Sequence, residues 1–133
     1  MQNQVVEPAS ASLSKEFVSF ARRQLVNATM FHSPNRRDED RFPMMLPVIA
    51  VAVDEHLQPA SDVFEMISRD VASASIGLFH PEPLTHERFV IRLDLAQTMT
   101  NLLIELIWQS QMGPFHGSAA KYLKKLEHFP VDI

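Results

Sequence analysis

The chain has 133 residues, enough for one domain that buries roughly 68% of the surface of its unfolded state. Hydrophobic residues make up 46% and charged residues 21%, values typical of a globular protein, which exclude wholesale disorder. The formal net charge of -4 argues against DNA or RNA as a partner, and the absence of cysteine excludes disulfides and thiolate metal sites. We therefore predict a single domain over residues 1–133.

The ends of the chain and its apolar runs bear on localisation. The first residues lack the basic and apolar regions of a signal peptide. The longest apolar run is far shorter than the ~20 residues of a membrane-spanning helix. These features predict a cytoplasmic protein without a membrane span. The six histidines show no metal-ligand spacing and no known catalytic motif is present, so we expect neither a metal nor an enzyme.

The N-terminal part of the chain predicts a helix. Residues 1–11 are small and polar and are expected to form a flexible terminus. From residue 12 to residue 30 apolar side chains recur at helical spacing, with Ser12 as the expected N-cap. The expected apolar face consists of Leu13, Phe17, Phe20, Ala21 and Leu25. We expect this helix to pack against the rest of the domain or to plug one end of it.

Residues 42–111 predict strands, because short apolar runs alternate with turn residues at a spacing of roughly ten residues. The predicted strands cover residues 46–53, 63–71, 76–80, 88–95, 102–109 and 116–123. This number of short strands favours a small barrel or sandwich. Residues 118–126 also have good helix propensity, so a short helix after the sixth strand remains open. We expect Phe79 and Trp108 in the core.

A cluster of charge precedes the first predicted strand. It contains Arg36, Arg37 and Arg41, with three acidic residues at positions 38–40. A guanidinium is a permanently charged, planar fork that fits phosphate oxygens and the edge of guanine. Because the whole chain is slightly acidic, the cluster indicates a local site for a small, anionic, nucleotide-like ligand. The alternative is a solvated loop whose surface ion pairs contribute only about 0–1 kcal/mol.

A second segment, residues 68–78, follows about 30 residues after the arginines. Together the two segments resemble a PilZ domain, a family of six-stranded barrels that bind the bacterial second messenger cyclic di-GMP. Arg37 and Arg41 match the family's RxxxR motif, and Arg36 completes the longer RRxxxR form. The resemblance covers about residues 35–125 and implies an all-β, six-stranded antiparallel barrel, here preceded by the N-terminal helix.

The family's second motif, (D/N)xSxxG, is matched at one of its three positions. Asp70 supplies the acidic residue, whereas Ala72 lacks the serine hydroxyl and Ser75 replaces the glycine. A lost net hydrogen bond at Ala72 costs about 0.5–1.5 kcal/mol. If the position of Ser75 requires a positive φ, the strain there costs roughly 1–2 kcal/mol. Ser73 is the candidate for supplying the missing hydroxyl.

The resemblance implies a non-catalytic bacterial sensor that binds cyclic di-GMP and relays its level to a protein partner. The implied ligand residues are Arg36, Arg37, Arg41, Asp70 and Ser73. The arginines would contact phosphates or guanine bases, and Asp70 would accept hydrogen bonds from guanine. No cofactor is implied beyond this ligand. The degenerate second motif leaves an alternative open, a nucleotide-blind interaction module that keeps the barrel as a scaffold.

Overall fold

A computed structural model of the chain describes residues 13–30 and 41–133. They form one helix and seven strands, and the helix is not long and apolar enough to cross a membrane. The elements are α1 Lys15–Met30, β1 Phe42–Pro43, β2 Pro47–Ala52, β3 Phe64–Val71, β4 Ser75–His80, β5 Arg88–Leu95, β6 Thr98–Met112 and β7 Phe115–Leu126.

Strands β2 to β7 form a closed antiparallel barrel. Their order around the barrel is β3-β2-β5-β6-β7-β4, and β4 pairs with β3 to close the ring. Strand β1 adds two residues to the end of β3. Closure leaves none of the six barrel strands as an open edge, which is how small all-β domains avoid edge-to-edge association. The expected six-stranded barrel with an N-terminal helix is confirmed.

The inner face of the barrel is filled by alternate residues of each strand. In β5, Phe89 and Ile91 belong to the central buried cluster, whereas Val90 packs in a separate cluster on the outer face. Phe79 is buried, as expected, but Trp108 is 43% exposed. The expectation for Trp108 was wrong because it lies beyond the part of β6 that pairs with β5, so a strand flanks it on one side only, β7.

Helix α1 packs against the outer face of the barrel and does not plug an end. Phe17 and Phe20 form a buried cluster with Ile67 of β3 and Phe79 of β4. The rings of Phe20 and Phe79 meet edge to face, with 5.5 Å between their centroids. Ile67 and Phe79 are cross-strand partners, so the helix covers the line along which β3 and β4 close the barrel.

The helix begins slightly later than its sequence pattern predicts. The hydroxyl of Ser14 accepts a hydrogen bond from the backbone N–H of Phe17 at 3.1 Å, so Ser14 is the N-cap. Ser12, the predicted cap, lies outside the described residues, as does the side chain of Leu25. The predicted residues Leu13, Phe17 and Phe20 do lie on the packed face.

Two boundaries differ from prediction because tertiary pairing and turn geometry override local pattern. Residues 118–126 are strand, not helix, since β7 pairs with β4 on one side and β6 on the other. Strand β6 begins at Thr98, after a two-residue turn in which Ala96 and Gln97 both have positive φ, 53° and 67°. Such turns favour Asn-Gly, so the sequence carries no turn signal there.

The imidazole of His80 is buried at the end of β4, with both ring nitrogens engaged. Nδ1 lies 2.7 Å from the carbonyl oxygen of Glu82 and donates to it, so Nε2 accepts from the hydroxyl of Ser118 at 3.0 Å. Burial lowers the pKa of His80 to about 4, although the hydrogen bond to the carbonyl oxygen of Glu82 acts in the opposite direction. The nearby His116 lowers the pKa further. His80 is therefore neutral at physiological pH.

This burial predicts a loss of stability in mild acid. The unfolded chain protonates His80 near pH 6.5 and the folded chain only near pH 4, so stability falls as the pH drops between these values. We expect His80 to contribute a loss of about 2 kcal/mol between about pH 7.5 and about pH 5. Urea unfolding of His80→Gln should lack this component, and the exposed control His128→Gln should retain it. An equal pH slope in both variants would contradict the assignment.

Candidate ligand-binding site

The segment that follows the arginine cluster is held along β3. Pro43 of β1 pairs with Asp70 of β3. Further along, the buried hydroxyl of Ser68 accepts from the N–H of Leu46 at 2.9 Å and donates to the carbonyl oxygen of Met44. Because this buried hydroxyl both donates and accepts, the segment has a defined register on β3. The residue just before β1 is thereby placed beside Asp70.

That residue is Arg41, and it joins the two predicted motifs through an ion pair. Arg41 Nη1 lies 2.8 Å from Asp70 Oδ1, across 29 positions of sequence. The Asp70 side chain is 15% exposed and that of Arg41 39% exposed, so the pair lies at the edge of the solvent. Arg36 and Arg37 lie outside the described residues, and their role in the site stays a prediction.

A second arginine, which the motif pattern does not include, holds the same carboxylate. Arg69 Nε donates to Asp70 Oδ2 at 3.1 Å, so each oxygen of Asp70 faces a different guanidinium. The Arg69 guanidinium also lies 5.8 Å from the ring centroid of Phe79 and 5.6 Å from that of Trp108. Cation–π contacts of this kind contribute about 0.5–2 kcal/mol. Arg69 therefore positions Asp70 from the outer face of the barrel.

Gly77 leaves room for Arg69 on that face, and Gly117 lies next to it. A Cβ atom at Gly77 of β4 would lie 2.7 Å from Cζ of Arg69, closer than real contacts allow. A Cβ at Gly117 of β7 would lie 3.7 Å from Nη1 of the same guanidinium and 2.7 Å from the sulfur of Met112. The 3.7 Å at Gly117 is an ordinary contact, and a methyl group there would meet Met112 first. The position of Arg69 over β4 therefore depends on Gly77.

The second predicted motif forms the tight connection between β3 and β4. The N–H of Ala72 donates to the carbonyl oxygen of Ser75 at 2.9 Å, and Ser75 begins β4. The non-glycine residues with positive φ in the described chain are Leu57, Ala96 and Gln97. Ser75 is not among them, so the strain considered for a serine at this position is absent. Ser73 lies at the exposed tip of the connection, and its contact with a ligand stays a prediction.

Tyr122 of β7 borders this connection, although the sequence pattern placed it on a helical face. Its backbone N–H donates to the carbonyl oxygen of Ala74 at 3.1 Å. Burial and, to a lesser degree, the negative charge of Asp70 raise the pKa of the Tyr122 phenol. The hydroxyl is therefore protonated at neutral pH and can donate a hydrogen bond. Only the β4–β7 pairing brings it to the site, so no local signal reveals it.

The arrangement suits anion recognition and not metal chemistry. It combines two guanidiniums, one shared carboxylate and a phenol at the end of the barrel formed by β1, the β3–β4 connection and β7. Within the described ranges, no three His, Asp or Glu side chains converge as metal ligands. Guanidiniums next to a carboxylate can exchange partners with a ligand that offers both phosphate oxygens and N–H groups.

The contact between Arg69 and Gly77 predicts a strong coupling between these two positions. Gly77→Ala should destabilise the protein by about 1–3 kcal/mol, because the new methyl group displaces the guanidinium from Asp70 and the rings. In an Arg69→Ala background the same change should cost less than about 0.5 kcal/mol. Urea unfolding of the four proteins measures the coupling energy.

Gly113→Ala is the matched control, since Gly113 has a φ of 61° but no atom within 4 Å of the place that a methyl group would take. Its cost of about 1–2 kcal/mol arises from the backbone alone and should be equal with and without Arg69. Equal costs of Gly77→Ala in both backgrounds would contradict the assigned packing.

Comparison with known proteins gives a likeness among solved structures. No family model and no curated protein sequence matches the chain. Among solved structures it is similar to the inhibitor of motility MotI/DgrA of Bacillus subtilis, with a TM-score of 0.53 and 12% sequence identity. The match covers 70% of this chain, which spans 44% of the length of the matched chain. At this identity the likeness concerns the fold alone.

Proposed function

We propose that this protein is a non-catalytic receptor for cyclic di-GMP that relays the level of the messenger to a protein partner in the bacterial cytoplasm. The observation that carries the proposal is the ion pair between Arg41 and Asp70, which brings the two sequence motifs together at 2.8 Å. Cyclic di-GMP carries two phosphates and two guanines, so it offers acceptors to arginine and N–H donors to a carboxylate. The PilZ-like fold supports the same proposal.

The ligand would bind by exchanging partners at Asp70. A phosphate or a guanine edge takes the place of the carboxylate on Arg41, and guanine N–H groups take the place of Arg41 on the carboxylate. Arg69 keeps Asp70 in position during this exchange, because its guanidinium is fixed between the rings and over Gly77. In this proposal Arg36, Arg37 and Ser73 complete the contacts to the ligand.

Ligand binding would be relayed to a partner through a change in the position of β1. Arg41 directly precedes β1. Met45, three residues after the first residue of β1, packs against the cluster that seats helix α1. An exchange of partners at Arg41 therefore changes the position of a segment that contacts the helix. The surface presented to a partner would be the one formed by β1 and α1. Such a change requires only that the ligand favours one of the two arrangements.

A second candidate, a nucleotide-blind interaction module, is favoured by a separate observation. Both oxygens of Asp70 are already engaged by arginines, and the buried residue Ala72 offers no hydroxyl. In that case the ion pairs hold β1 on the barrel and the ligand site has been lost. The two candidates differ in whether cyclic di-GMP binds at all.

Isothermal titration calorimetry with cyclic di-GMP tests the proposal directly. We expect the wild type to bind, and Arg37→Ala/Arg41→Ala to lose at least about tenfold in affinity, since each charge-assisted hydrogen bond contributes about 1.5–3 kcal/mol. Arg22→Ala/Arg23→Ala removes two exposed arginines of α1 as a matched control and should bind as the wild type does. Absence of heat from the wild type up to high micromolar ligand would favour the nucleotide-blind module.

Restoring the missing hydroxyl should tighten binding. Ala72→Ser is expected to lower the dissociation constant by about two- to tenfold, the value of one net hydrogen bond. Ser75→Gly should add little, because Ser75 has no positive φ to relieve. Ala74→Ser, which places a hydroxyl on an exposed residue of the same connection, is the control for non-specific effects. Unchanged affinity of Ala72→Ser would mean that the second motif is wrongly aligned.

A further inference from the structure

A pocket of about 350 Å³ opens at the opposite end of the barrel. Its floor is formed by side chains of the barrel core, Phe64, Leu84 and Phe89, and its rim by the loop between β4 and β5. The rings of Phe64 and Phe89 meet edge to face at 6.1 Å between centroids. Mouths of β-barrels with apolar floors and a few polar groups are common sites for small molecules, and this volume lies in their usual range.

The charge on the rim has one sign. Among the described residues that line the pocket, Glu65 and Glu82 are acidic and none is lysine or arginine. Neither carboxylate forms an ion pair within the part of the chain that the structure describes. Carboxylates beside an apolar surface attract a cation and repel an anion, more strongly than they would in open solvent.

His80, one of the two histidines that line the pocket, does not reverse this charge. His80 uses both ring nitrogens in hydrogen bonds to Glu82 and Ser118, and burial lowers its pKa to about 4. Its imidazole is therefore neutral at physiological pH and offers no further donor to a ligand. His86, on the rim, has its ring edge to face with Phe89 at 6.4 Å between centroids and adds a third aromatic ring to the lining.

We propose that this mouth of the barrel binds a small apolar molecule that carries one positive charge, such as an aromatic amine. The apolar part lies against Phe64, Leu84 and Phe89, and the ammonium group lies at the rim, on the side of Glu65 and Glu82. Aromatic rings next to an apolar cation add a cation–π contribution. An anion such as cyclic di-GMP is excluded by the same carboxylates.

The proposed site is independent of the one at Asp70. Phe64 begins β3 and Asp70 lies six residues further along the same strand, a separation of roughly 20 Å. Substitutions at Arg41 or Asp70 should therefore leave binding at the mouth unchanged. Either site can be absent while the other functions, so their tests do not depend on each other.

Three probes with the same ring and different charge test the proposal on the full chain. Naphthylmethylamine is a cation, naphthylmethanol is neutral and naphthoate is an anion at neutral pH. We expect calorimetry to give an affinity for the amine at least about fivefold higher than for the anion, the order of one partly exposed charge pair. Glu65→Gln/Glu82→Gln should remove this preference, while Glu16→Gln/Glu127→Gln, which changes two exposed glutamates elsewhere, should keep it.

A blocking variant locates the binding. Thr85 is exposed on the rim, so Thr85→Trp should fill the mouth and abolish binding of the amine, whereas Thr98→Trp at the β5–β6 turn should have no effect. The glutamine variant keeps the proposal testable if the tryptophan variant does not fold. The proposal is overturned if no probe binds at millimolar concentration, if the anion binds as tightly as the amine, or if Thr85→Trp folds and still binds.

Discussion

The barrel depends on one strand, β4, which pairs with β3 on one side and with β7 on the other. This double pairing closes the ring, and most of the side-chain contacts described above are made across β4. Arg69 crosses it over Gly77 and Gly117, His80 bonds to Ser118 across it, and α1 covers it through Phe79. Without this closure the side chains on β3, β4 and β7 would not meet, and each would be exposed to water on its own strand.

The same closure gives the candidate site its electrostatic character. The connection from β3 to β4 sets Asp70 at the end of the barrel, where β1 delivers Arg41 and the outer face supplies Arg69. A carboxylate shared by two guanidiniums is satisfied, so a ligand gains only the difference between its own contacts and those it replaces. That difference, and not the count of arginines, decides whether this chain recognises a nucleotide.

The two ends of the barrel differ in charge and in polarity. One end presents guanidiniums around a carboxylate, and the other presents aromatic side chains beside the carboxylates of Glu65 and Glu82. The two ends of the same strands therefore differ in the charge of the groups that they present. Leu13, just before α1, lines the mouth, and Met45, just after β1, joins the cluster that seats α1.

The sequence by itself determined the helix and most strand positions, because alternation in residues such as Phe89 and Ile91 is a local property of the chain. The strand pattern left a barrel and a sandwich open, and the family resemblance favoured the barrel. It also pointed to Arg41 and Asp70 as candidate residues of one site, through a family resemblance, but not to the ion pair that joins these positions, 29 apart. Only the tertiary structure decided that β7 is strand, that Trp108 is exposed, and that Arg69 and Tyr122 border the site. Those outcomes depend on which strands become neighbours, and no local pattern contains the pairing that closes a barrel.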